Sequence, residues 1–90
     1  MPRPIGTLAA TSRYIRSFRK LPRPIQDRLI SRERLFKRDS TDPRLRTHKL
    51  TGPLKSLWSW SVDYEYRVLF EYLGPDSVLL HDVGTHSIYR

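Results

Sequence analysis

Three short runs near the C-terminus, LWSWSVDY, YRVLFEYL and SVLLHDVG, constrain this chain more than anything else in it. In the first, Trp58, Trp60, Val62 and Tyr64 alternate with Ser59, Ser61 and Asp63; in the second, Tyr66, Val68, Phe70 and Tyr72 alternate with Arg67, Leu69 and Glu71. A period of two puts each set on its own face of a strand. The third run is nearly continuous in apolar residues, which suits a central strand, and GPDS before it is a turn. Three such strands joined by short turns form an antiparallel meander with one apolar face that something must cover.

The cover comes from upstream, where the period changes. After a first short strand in IGTLAAT, Thr11 or Ser12 can cap a helix RYIRSFRKL, in which Tyr14, Phe18 and Leu21 share one face with Ile15 beside them. Pro22 and Pro24 break it, and a second helix runs from about Pro24 to Arg38 with Ile25, Leu29 and Phe36 in a narrow arc, widened by Ile30 and Leu35. The short turn between them makes an antiparallel hairpin, and DSTDP at Asp39 to Pro43 ends it. The fold class expected is therefore α+β: an N-terminal strand and a two-helix hairpin packed on a small antiparallel sheet. Ninety residues make a single domain, residues 1–90, with one modest core.

Charge divides the chain. Residues 1–47 carry +9 and residues 48–90 carry −1, for a net +8. A basic half of this kind binds polyphosphate by releasing counterions, or binds an acidic protein segment. No apolar run is long enough to span a bilayer and no secretory leader is apparent, so no membrane role and a cytoplasmic protein are expected. With no Cys there is neither a thiolate nucleophile nor a Cys-type zinc site, and His48, His81 and His86 lack helical pairing, so neither a metal nor any other cofactor is expected.

Three motifs follow one another: His48-x-Leu50-x-Gly52, Tyr66-Arg67-Val68 and Gly84-Thr85-His86-x-x-Tyr89. Together with the helical segment they make roughly residues 5 to 90 resemble the RelE/ParE superfamily of bacterial type II toxins, in particular the YafQ-like and plasmid-stabilisation branch. The resemblance implies a RelE-like fold and a ribosome-dependent, metal-independent endoribonuclease. Such a toxin cuts mRNA and blocks translation, and is held inactive by a cognate antitoxin in a hetero-oligomer. The superfamily also contains ParE-like toxins that poison DNA gyrase and cut nothing, and a degenerate chain that only binds its antitoxin is a third alternative. Fold alone does not choose among these.

RNA cleavage without a metal needs a base for the ribose 2′-hydroxyl, cationic donors for the phosphorane and an acid for the leaving oxygen. His48 and His86 suit the proton transfers, since imidazole titrates near neutrality. Arg67 lies by alternation on the sheet face that packing does not need, where a guanidinium can grip a phosphate; Tyr89 can stack on a base or bond to a phosphate. Gly84 lets the chain leave its strand sharply so that His86 and Tyr89 can turn back over the sheet. The YafQ-like branch carries a second histidine where this chain has Ser61 and an aspartate near Glu65, so Glu65 is a candidate base or histidine-orienting group. Lys49 and Lys55 would add to the positive field, and Arg13, Arg16, Arg19, Lys20 and the basic residues from Arg28 to Arg38 would dock on ribosomal RNA. His81, inside a strand, is expected to be structural.

Overall fold

The computed structural model describes residues 2–89. Thr11 starts the first helix, α1 (Ser12–Arg19), by accepting the Tyr14 N–H on its hydroxyl at 3.1 Å. The second, α2 (Arg23–Arg38), begins beside Pro22 and Pro24, and Gln26 reaches back from it to give its amide N–H to the carbonyls of Phe18 (3.0 Å) and Leu21 (3.2 Å). Those carbonyls lie at and just beyond the end of α1, so one side chain ties α2 back to α1 and closes the hairpin. Beyond α2, the Asp39 carboxylate accepts the N–H of Arg3 and both the N–H and hydroxyl of Thr41. These bonds hold it below the usual aspartate range.

Five strands make one sheet: β1 (Thr7–Ala10), β2 (His48–Lys49), β3 (Trp58–Ser61), β4 (Arg67–Tyr72) and β5 (Ser77–Gly84), in the order β1-β5-β4-β3-β2. The meander β3-β4-β5 is antiparallel, as its short turns require, and β2 adds antiparallel to β3. The sheet as a whole is mixed, however, because β1 runs parallel to β5 from Thr7↔Ser77 to Ala10↔Leu80. It covers the β5 edge that a bare meander would leave unpaired, and β4, not β5, is the middle strand. Three 3-10 turns fill in the remainder, at Pro43–Leu45, Gly52–Leu54 and His86–Tyr89.

The register pairs Trp58 with Phe70 and Trp60 with Val68, which unites the alternating aromatic set on the face under the helices. Phe36 of α2 is fully buried there, stacked on Trp60 at 5.5 Å and set edge-on to Phe70 at 5.0 Å. Truncating such a residue to Ala costs about 3–5 kcal/mol, much of a small domain's stability. Two details depart from strict alternation. Strand β3 stops at Ser61, because the Asp63 carboxylate accepts the N–H groups of Glu65 (2.9 Å) and Tyr66 (2.7 Å) and bends the chain into a turn. Tyr64, expected on the packed face, is consequently 93% exposed. In β5 the pairing steps from Leu69↔Asp82 to Phe70↔Leu80, leaving His81 as the extra residue of a bulge.

The bulge anchors α1. Asp82, almost fully buried, accepts the Ser17 hydroxyl at 2.6 Å and its own neighbour's N–H from Val83 at 2.9 Å, and pairs with Arg13 at 3.2 Å. The His81 carbonyl accepts the Thr11 hydroxyl at 2.9 Å, and its ring meets Glu71 at 3.0 Å. His81 is thus structural, and a buried carboxylate is fully partnered, as its burial demands.

Candidate functional site

The face of the sheet turned away from the helices carries Ser59, Ser61, Arg67, Leu69 and Glu71. Its polar members would lie open were it not for the C-terminal segment. After Gly84 the chain turns into the 3-10 turn His86–Tyr89 and lies back on this face, where the Tyr89 hydroxyl shares a 2.8 Å hydrogen bond with the Ser59 hydroxyl. Gly84 is required for this by proximity, since a Cβ there would stand 2.7 Å from Cγ2 of Ile88. The His86 ring meets the Tyr89 ring edge-on at 5.7 Å.

Ser59 also ties the row to the opposite edge, because its register partner across β2 and β3 is His48. The exposed His48 ring places Nδ1 at 2.9 Å from the Arg46 carbonyl. A carbonyl only accepts, so Nδ1 carries the proton and Nε2 of the neutral ring keeps a free lone pair. Arg46 presents that carbonyl from a left-handed backbone conformation, φ 52° and ψ 40°, the one such non-glycine residue among those described. For a residue with a Cβ this costs on the order of 1 kcal/mol.

Arg67 pairs in register with Ser61 on one side and Gly84 on the other, so it shares the sheet end from which the His86 segment departs. Its Nη1 donates to the carbonyls of Asp63 (2.8 Å) and Tyr66 (3.3 Å), not to a carboxylate. The fork is oriented while its charge stays unneutralised. Register and alternation put His48 and Arg67 on the face over which His86 and Tyr89 fold, with Arg67 at the end where that segment departs and His48 on the β2 edge, two residues along β3 from the Arg67 pairing. Glu65 does not join them: it is exposed on the β3–β4 turn, and its carboxylate bonds to no histidine among the described residues. Lys49 and Lys55 are exposed at the β2 edge. Arg16, Arg19 and Lys20 are exposed in the helical layer on the far side of the sheet, where Arg13 is engaged with Asp82.

Two recesses flank the row. On one side Leu50, Pro53, Leu54 and the Tyr89 ring line an apolar hollow. On the other, Arg28 and Arg32 of α2 and Arg44 and Arg46 after it converge on Arg67, around Ser61, Val62, Asp63 and Tyr64. The arginines of α2 were visible as a basic run, but not their meeting with Arg67; Ser59 looked like a plain polar position. Between α1 and α2, Tyr14, Ile15, Phe18, Leu29 and Ile30 line a third, apolar groove rimmed by Arg19 and Glu33. Among the described residues no helix is long and apolar enough to cross a membrane, and no three His, Asp or Glu side chains gather as a metal site would need.

No family model and no curated protein matches the sequence. Solved structures match over almost the whole chain. YafQ from E. coli strain BL21(DE3) is 10% identical over 91% of this chain and 94% of its own, with a TM-score of 0.75. The toxin-antitoxin complex RelBE2 from Mycobacterium tuberculosis supplies a chain 20% identical over 97% and 94%, with a TM-score of 0.74. A YoeB/ParE toxin from Agrobacterium tumefaciens is 14% identical over 89% and 98%, with a TM-score of 0.73. This α+β chain has the fold of these RelE, YafQ and YoeB/ParE toxin structures.

Proposed function

We propose that the chain is the toxin of a type II toxin-antitoxin pair and that it cuts mRNA on the ribosome without a metal. The observation that carries this reading is the folded-back tail: Tyr89 is bonded to Ser59, the register partner of His48, with His86 against the Tyr89 ring and Arg67 at the same end of the sheet. His48 Nε2 takes the proton of a ribose 2′-hydroxyl, and the freed oxygen attacks the adjacent phosphorus. The phosphorane gains charge that the Arg67 guanidinium meets with paired donors. The bond to the 5′-oxygen breaks as protonated His86 gives that oxygen its proton, leaving a 2′,3′-cyclic phosphate and a 5′-hydroxyl. Tyr89 orients the strand through its ring and hydroxyl. Each proton transfer is worth about 10²–10⁴-fold. Ser61 is no base, so His48 carries that role alone, while the ribosome's hold on the message supplies the approach geometry.

The antitoxin is a partner of this reading. A chain with this fold in the RelBE2 structure sits in a toxin-antitoxin complex, and here the α1–α2 groove exposes Ile15 and Ile30 beside a basic surface, which suits an acidic amphipathic helix. The test is a cell-free translation reaction with message ends mapped by primer extension. Wild type produces discrete new ends, and His86→Ala reduces them at least about a hundredfold. Intact message with wild type, accompanied by inhibited gyrase supercoiling, would replace the nuclease by a noncatalytic toxin.

A further inference from the structure

The recess around Arg67 contains more cation than one phosphate under attack can use. Arg28, Arg32, Arg44, Arg46 and Arg67 all line it. Of the five, only Arg44 has an ion pair among the described residues, a two-pronged one with Asp42 at 3.0 Å. Arg28 and Arg67 spend single donors on neutral carbonyls, of Val62 at 3.0 Å and Asp63 at 2.8 Å, and the Asp63 carboxylate is turned to backbone N–H groups. The recess encloses about 210 Å³. That is below the 300–1,000 Å³ of an ordinary small-molecule pocket, so it fits a compact anion better than a whole nucleoside. At its rim stands Tyr64, 93% exposed, on the turn that Asp63 holds in shape. A large ring in water at the mouth of an arginine cleft contributes nothing to the core.

We propose that this cleft is a second RNA subsite: it grips the backbone phosphate of a nucleotide flanking the one cut, and Tyr64 is the platform on which that nucleotide's base stacks. A carboxylate peptide would also satisfy the guanidinium forks, but it has no use for an exposed ring, whereas single-stranded RNA needs both a cation and a π-face for each nucleotide. The position is also right. Along β3 the order runs from the cleft at Ser61, through Ser59 with His48 and Tyr89, to the apolar hollow beyond Leu57, about 13 Å at ~3.3 Å per residue. A strand laid on this line meets a phosphate grip, the proton-transferring row and a base pocket in turn. The register next to the cut rests on the nuclease reading; the binding itself does not.

The measurement is fluorescence anisotropy of the whole protein with a labelled hexaribonucleotide that is 2′-O-methylated throughout, so that it cannot be cut. Tyr64→Ala is expected to weaken binding roughly 5- to 150-fold. Arg32→Ala is expected to lower the slope of log affinity against log salt by about 0.7, the share of one phosphate contact. Arg23→Glu, a charge reversal at an exposed residue on the same helix outside the cleft, serves as control against Arg32→Glu. Equal losses from these two reversals, or wild-type affinity in Tyr64→Ala, would overturn the proposal. So would binding of labelled hexaglutamate that depends on Arg32 while RNA binding does not, since the cleft would then belong to a protein partner. Binding that depends on Arg32 and Tyr64, beside uncut message in translation, would sustain the subsite and remove only the nuclease reading.

Discussion

Gly84→Ala separates positioning from stability more cleanly than any catalytic substitution. The new Cβ would lie 2.7 Å from Ile88 Cγ2, and ordinary contact begins near 3.4 Å, so the pair must part by about 0.7 Å. Rotating the isoleucine does not provide this readily, because Cγ2 is fixed directly to a branched Cβ with one strongly preferred χ1. The turn His86–Tyr89 must lift instead, taking Tyr89 off Ser59 and moving His86, which lies against the Tyr89 ring, with it. A misplacement approaching 1 Å costs about 100-fold in rate. The same substitution removes a glycine from a strand end, which favours the fold by about 0.4–1 kcal/mol through the unfolded chain and offsets the loss of one half-buried hydrogen bond. Message cleavage in translation should therefore fall by about two orders of magnitude while the melting temperature stays nearly fixed. Gly84→Ala/Ile88→Ala removes the colliding methyl and should recover most of the activity. Cleavage by Gly84→Ala at the wild-type rate, or no recovery in the double variant, would refute the idea that the tail's seat on the sheet sets the activity.

Tyr14 is buried with its hydroxyl unpartnered among the described residues, and burial beside Glu33 pushes that phenol further from ionisation. Tyr14→Phe should raise stability by about 1 kcal/mol, a gain of about 4–8 °C on thermal melting of a domain this size. A lower melting temperature would mean that the hydroxyl has a partner. Glu33 has its own carboxyl raised above the ordinary range, first by desolvation, with Lys37 opposing. The folded state thus holds this proton more tightly than the unfolded one. Its penalty is absent below the ordinary carboxylate range, grows as pH rises through the raised value, and is complete above it. Denaturant titrations should show Glu33→Gln gaining on wild type across that window, and a gap that instead widens toward acid would contradict the sign.

Much of this was legible in the chain itself. The switch from a 3.6-residue period to a period of two placed both helices and the meander, Thr11 and the Pro22–Pro24 pair bounded the helices, and alternation put Arg67 opposite the packed aromatics. What alternation cannot encode is direction and interruption. Nothing in TLAA says that it pairs parallel to a strand 70 residues away, and the bulge at His81 follows from how Asp82 is claimed by Ser17 and Arg13. Tyr64 was misplaced because the Asp63 turn competes with the strand. Arg28 and Arg32 sit one helical turn apart, which is visible in sequence, yet their meeting with Arg44, Arg46 and Arg67 depends on where α2 crosses the sheet.

The parallel pair β1–β5 sets the order in which this molecule can assemble. Residues 7–10 have no ladder to join until residues 77–80 exist, and the Thr11 hydroxyl that starts α1 finishes on the carbonyl of His81. Pairings this distant in sequence pay a late loop-closure cost and slow the final step. A nascent chain halted before Ser77 therefore has neither the β1–β5 ladder nor a seat for α1.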